Sequence, residues 1–169
     1  MNGLMASIAA IGLALSLVVH GASLFGVDVM SLVPYVWALH VGVFIVFAPA
    51  VIFARKRFGA RPALADLRQA FPGWVQVLAA VFFAYALINF YASFVSMDGA
   101  PAIKAGQYVL ENHGRIVRAL SSAEYTSLRA QVIRGFSGHW MFFYFVGFAY
   151  FAFCGNGEPL NGSVRNKAM

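Results

Sequence analysis

Four long apolar blocks alternate with polar stretches along this chain: Leu4 to Phe25, Tyr35 to Ala54, Trp74 to Val95 and Phe136 to Phe153. None of them contains a Lys, Arg, Asp or Glu. A helix needs about 20 apolar residues to cross roughly 30 Å of hydrocarbon. The pattern therefore predicts an all-α membrane protein, four transmembrane helices in a bundle. They form a single domain over residues 1–155, followed by a mobile tail, 156–169. In the first block Ala9, Gly12, Ser16, His20 and Ser23 recur at steps of three and four, a stripe of small and polar residues. Such stripes mark the faces where membrane helices approach closely, so His20 is expected to point inward. Tyr85, Asn89, Ser93 and Ser96 make a similar stripe in the third block, and Gly135, His139, Gly147, Tyr150 and Cys154 a looser one in the fourth. The second block is ambiguous, because Val36, Trp37, Phe44 and Phe47 around His40 would suit lipid as well as protein. Pro49 is expected to kink that helix near its end.

The polar stretch 98–135 has a pattern of its own. "GQYVLENHGRIVRAL" reads as a β-hairpin, with Tyr108 to Leu110 and Ile116 to Leu120 flanking a turn in which Gly114 supplies positive φ. Ser121 and Glu124 then have capping-box spacing, and Tyr125, Leu128 and Val132 form the apolar stripe of a short helix. That helix is expected to lie on the membrane surface and to bend at Gly135 and Gly138 into the fourth span. A lone hairpin is marginal in water, so it must pack on helix ends, on this short helix, or on a partner.

Composition agrees with the pattern. Of the 169 residues 61% are hydrophobic and 11% charged, against about 25% charged in a soluble domain. The net charge is +6, but its placement points to topology rather than to nucleic acid. Arg55, Lys56, Arg57, Arg61 and Arg68 crowd the loop 55–70 against Asp66, as cytoplasmic loops do under the positive-inside rule. With that loop inside, both termini are cytoplasmic and residues 98–135 lie outside an inner (plasma) membrane. Arg165 and Lys167 in the tail add to the inner charge. Tyr35, Trp37, Trp74 and Trp140 stand near block ends, where aromatic belts form. No basic residue precedes the first block, so it reads as a span rather than a signal peptide cut after Gly21. Cys154 is the single cysteine, which excludes an internal disulfide. The Asn161-Gly-Ser sequon falls in the inner tail, out of reach of glycosylation.

Candidate chemistry concentrates in one layer. At 1.5 Å per residue, His20, His40 and His139 all fall roughly 7–9 Å below the outer boundary. Asn89 and Ser93 reach the same depth, and Arg134 stands just above. Polar groups in a membrane most often act as hydrogen-bonding glue between helices. They also suit a ligand. Imidazole binds transition metals, two facing histidines hold a b-type haem with Arg134 or Arg118 on its propionates, and a quinone headgroup would fit His, Asn and Tyr donors. Asp28 and Asp98 are the nearest second-shell carboxylates. No nucleophile elbow, phosphate cradle or buried acid–histidine pair is present, so no catalytic residue is assigned. The expected function is a non-enzymatic accessory or interaction subunit that docks a partner or ligand through its outer loop and polar layer, a second copy of the chain included. A redox, haem or metal subunit using the three histidines is the alternative, and a small transporter component the third.

Overall fold

The computed structural model describes residues 2–61, 63–95 and 97–154. Ser96 of the third stripe and the tail with Arg165, Lys167 and its sequon lie outside the described residues. The chain is mostly helical, with a small antiparallel sheet. In order it forms α1 (Asn2–Leu24), α2 (Val29–Leu32), α3 (Ala38–Phe58), α4 (Leu64–Ala70), α5 (Gly73–Phe94), β1 (Ala100–Lys104), β2 (Gln107–Asn112), β3 (Arg115–Ala119) and α6 (Ser122–Ala149), which closes in a π-helical turn, Tyr150–Cys154. Three helices, α1, α3 and α5, are long and apolar enough to cross a membrane, which is consistent with a membrane protein. Large apolar side chains such as Ile11, Val18, Val41, Ile52, Val81 and Ile88 cover their outward faces, a surface that suits lipid and not water.

The fourth apolar block behaves differently from expectation. It is the second half of one continuous helix that runs through Gly135 and Gly138, with no separate surface helix before it. Ser121 caps the start as its spacing predicts. Its Oγ accepts from Glu124 N at 3.2 Å, and Glu124 Oε2 accepts from Ser121 N at 2.8 Å. These bonds and Arg118 hold the Glu124 carboxyl below its ordinary value. The cap is therefore fully formed at neutral pH and weakens as pH falls through that lowered value. α6 buries eleven residues, where α1 buries five and α3 and α5 four each, so it is the central element. A central helix meets protein on most sides and can carry Ser137, His139, Trp140 and Tyr144. These make it less apolar than the three qualifying spans.

Gly135 and Gly138 serve close approach. A Cβ on Gly135 would meet the Phe94 ring, and one on Gly138 would lie 2.5 Å from Asn89 Nδ2, so both let α5 seat on α6. Tyr144 plays the reciprocal part on the opposite side. Its ring lies where a Gly12 Cβ would stand on α1, and its hydroxyl where a Gly42 Cβ would stand on α3. That hydroxyl donates to Leu39 O at 2.8 Å. Pro49 sits inside α3, which continues past it to Phe58, since helices packed in a membrane accommodate proline.

The sheet has order β1-β2-β3, one strand more than the hairpin expected. Both of its turns have two central residues of positive φ: Ala105 and Gly106, then His113 and Gly114. That is the handedness a two-residue hairpin requires. β1 contains Pro101, tolerable because the strand is an edge. A bulge interrupts β2–β3 pairing, where Leu110 opposes Arg118 but Glu111 opposes Ile116, leaving Val117 extra. The sheet packs on the first turns of α6: Val109, Leu110 and Leu120 are buried, and Tyr108 stacks on Tyr125 with centroids 4.4 Å apart. The loop 55–70 also differs from a plain loop, since it contains α4. Asp66 Oδ2 accepts from Ala63 N at 3.0 Å to start it.

Candidate functional site

The polar layer is real as a set of hydrogen bonds, and α6 organises it. The small stripe of α1 turns inward as its periodicity predicts: Ala9, Gly12, Ser16, His20 and Ser23 are the five buried residues of that helix. His20 Nδ1 lies 2.8 Å from Ser137 Oγ, and its Nε2 lies 2.5 Å from the Tyr85 hydroxyl. Ser137 Oγ in turn donates to Arg134 O at 3.2 Å. One assignment uses every proton: Tyr85 donates to Nε2, Nδ1–H donates to Ser137, and Ser137 donates to the carbonyl. The histidine of α1 thereby ties α5 to α6, and both of its ring nitrogens are engaged.

Asn89 and Ser93 join α5 to α6 by a second route. Asn89 Nδ2 donates to Arg134 O at 2.8 Å, and Gln131 Nε2 donates to Ser93 O at 2.7 Å. Arg134 Nε stands 3.5 Å from Ser93 Oγ. His40 accepts from Trp140 Nε1 at 2.9 Å, with Trp37, Phe44 and Phe136 packed edge-on against its ring. Trp140 was expected in an aromatic belt. It is instead 1% exposed and faces inward, because its indole fills the space between α3 and α6.

His139 keeps the side of Gly135, toward α5. It is half-buried, bonds its own helix at Gly135 O (3.1 Å), and rests edge-on against Phe90 at 4.7 Å. Each residue turns about 100° round a helix, so His139 stands roughly 200° from Ser137 and cannot share its direction. His20, His40 and His139 thus meet three different neighbours. Among the described residues, no group of three or more His, Cys, Asp or Glu is placed to hold a metal. The sequence pattern marks neither Ser137 nor Tyr144, and it marks Trp140 only as a belt residue; all three face the core. Their spacing of three and four is a helical stripe. It was hidden because the more conspicuous His139 suggested a different face.

No family model, curated protein or solved structure matches this chain. The layer must therefore be read from its own geometry.

A second polar constellation links the sheet to the helices. Asp28 caps α2, accepting from Ser31 N at 3.3 Å and Ser31 Oγ at 2.5 Å. Its Oδ2 also lies 2.9 Å from Arg129 Nε, an ion pair and not a well-aligned hydrogen bond. Arg129 continues to Tyr125, donating to the hydroxyl at 3.2 Å with its guanidinium over the ring. Tyr125 stacks on Tyr108 of β2. The α1–α2 junction, α6 and the sheet are thus clamped through one side-chain chain, a role the sequence reading gave to neither Asp28 nor Arg129. Asp98, the other proposed carboxylate, lies in the irregular stretch before β1.

As glue, the His20 network has a definite expected cost. Hydrogen bonds between membrane helices contribute about 0.6 kcal/mol each and seldom above 2. His20→Ala and Ser137→Ala should each cost about 1–2 kcal/mol in equilibrium unfolding in detergent. The double variant should cost less than their sum, because the two share a bond. Full additivity would show that the network is not one unit.

Proposed function

We propose that this protein is a four-span bundle of the inner membrane with both termini cytoplasmic, and that it is a non-enzymatic accessory subunit docking an extracytoplasmic partner through its sheet. The length of α6 supports the fourth span: 28 residues at 1.5 Å each make about 42 Å, against roughly 30 Å of hydrocarbon. Its second half would cross the membrane and its first would stand outside as the post on which the sheet is mounted. The single observation that carries the docking role is β3. All five of its residues are exposed, among them Ile116 and Val117 between Arg115 and Arg118. The opposite edge strand exposes Ile103. Exposed apolar positions rimmed by charge mark interaction sites, and here they sit on a sheet that the Asp28–Arg129–Tyr125–Tyr108 chain braces. The bulge at Val117 and the flanking arginines discourage indiscriminate strand pairing, which favours a specific partner contacting the side chains. In the polar layer His20 and His40 each bond to another helix, which supports helix-joining over cofactor binding, and His139 bonds to its own helix.

A photocrosslinking residue at Ile116 in the full-length protein, activated in intact cells, tests the reading. A discrete adduct is expected at this position and not at lipid-facing Ile88. Val117→Asp should remove it without loss of helix content. Labelling at Ile116 no stronger than at Ile88 would end the docking proposal. An absorption spectrum and metal analysis of gently purified protein separate it from the redox alternative, which requires a Soret band or stoichiometric metal.

A further inference from the structure

A groove at the opposite end of the molecule takes no part in docking through the sheet. It has a volume of about 400 Å³ and runs between α3 and α5, floored by Val146, Ala149 and Tyr150, with α4 across one end. The space exists because α3 and α5 each pack on α6 and not substantially on each other. Small residues keep it open: Ala50 and Ala54 on α3, Ala79 on α5 and Ala149 on α6.

The dimensions and charge of the groove identify its occupant. Along α3 the lining runs from Phe47 to Phe58, which is about 16 Å at 1.5 Å per residue. Half of a hydrocarbon core of roughly 30 Å is about 15 Å. Of the groove's length, Phe47 to Ala54 lies within the apolar block and covers about 10 Å of the leaflet, the upper part of a single acyl chain, and Arg55 to Phe58 lies at the headgroup level. Among the described residues its lining is apolar apart from Arg55, Gln76 and Tyr150, and Arg55 is the one charged member, one turn before the end of α3. Lys56, Arg57, Arg61 and Arg68 follow in the same segment, against the single acid Asp66. Leu64 of α4 lines the groove while remaining 64% exposed, apolar surface that a lipid chain would cover. Arginine matches phosphate oxygens in a forked geometry, and the cytoplasmic leaflet carries the anionic lipids.

We propose that this groove holds one acyl chain of an anionic phospholipid of the cytoplasmic leaflet, with the lipid phosphate on Arg55. Only the choice of leaflet rests on the sidedness proposed above. Binding is read in detergent, so it stands or falls separately from the docking role.

The test uses full-length protein, delipidated in mild detergent and offered equimolar palmitoyl-oleoyl phosphatidylglycerol and phosphatidylcholine. Bound lipid is counted by native mass spectrometry. One phosphatidylglycerol should be retained with a preference of about fivefold, the discrimination expected of one arginine at a headgroup. Arg55→Gln should erase the preference while leaving a lipid bound, and Arg55 is exposed enough for the fold to tolerate the change. Ala79→Phe, from a half-buried wall position, should cut the occupancy of both lipids, with circular dichroism confirming the helices. If that variant does not fold, Ala54→Phe from the facing wall is read in its place. Equal retention of the two lipids, a preference that survives Arg55→Gln, or occupancy indifferent to the filled groove would each overturn the proposal.

Discussion

Tyr144→Ala should cost about 3–5 kcal/mol, the range for removing a large buried aromatic side chain. Tyr144 is 3% exposed and belongs to the main core cluster. It reaches two neighbouring helices, resting where Gly12 of α1 and Gly42 of α3 leave room for it. Tyr144→Phe keeps the ring and loses only the bond to Leu39 O, so it should cost about 0.6–2 kcal/mol. The same contact read from the other side makes Gly12→Ala destabilising, although alanine gains about 1 kcal/mol over glycine in a helix. The added Cβ would overlap a rigid ring, not a flexible chain end, and overpacking of that kind costs about 1–3 kcal/mol. Equilibrium unfolding in mixed micelles measures all three. If Tyr144→Ala came within about 1 kcal/mol of Tyr144→Phe, the ring would not be the wedge described here.

The second large effect is expected at the clamp beneath the sheet. Asp28→Asn preserves the cap on α2, because asparagine caps as well as aspartate, but it removes the charge facing Arg129. The Asp28 side chain is 7% exposed and that of Arg129 23%. A fully buried pair costs about 3–5 kcal/mol to break. The partial exposure of Arg129 brings the expectation down to about 2 kcal/mol. Arg129→Met in the Asp28→Asn background should recover part of the loss, since no unpaired charge then remains. If the proposed docking role is right, Asp28→Asn should also weaken crosslinking at Ile116 by loosening the post under the sheet. A variant of unchanged stability and unchanged crosslinking would show that Asp28 and Arg129 do not brace it.

How much of this was legible beforehand depends on the element. α1 presents one face to protein and the rest outward, so its stripe of small residues carried its orientation in full. The capping box at Ser121 and the turn at Gly114 were equally readable, because each is set by backbone groups within a few residues. β1 was not, since it contains Pro101 and its turn puts Ala105 at φ +49°, where alanine is rare. Only pairing along β2 makes it a strand. α6 was not legible as one helix through its middle. Glycines at 135 and 138 look like a hinge in isolation, and only the presence of Phe94 and Asn89 on α5 shows that they make room for a neighbour.

The sequence by itself determined that this chain carries membrane-length apolar helices, which of their faces are small or polar, and where its local caps and turns fall. Those properties follow from periodicity and from hydrogen bonds closed within a few residues. Tertiary structure alone decided that His20 joins Tyr85 and Ser137, that His40 meets Trp140, and that His139 stands apart. It also decided that Arg129 finds Asp28, and that α3 and α5 leave a groove between them. Each of these depends on which helix lies beside α6 and at what height, and contacts between residues many tens of positions apart leave no periodic trace along the chain.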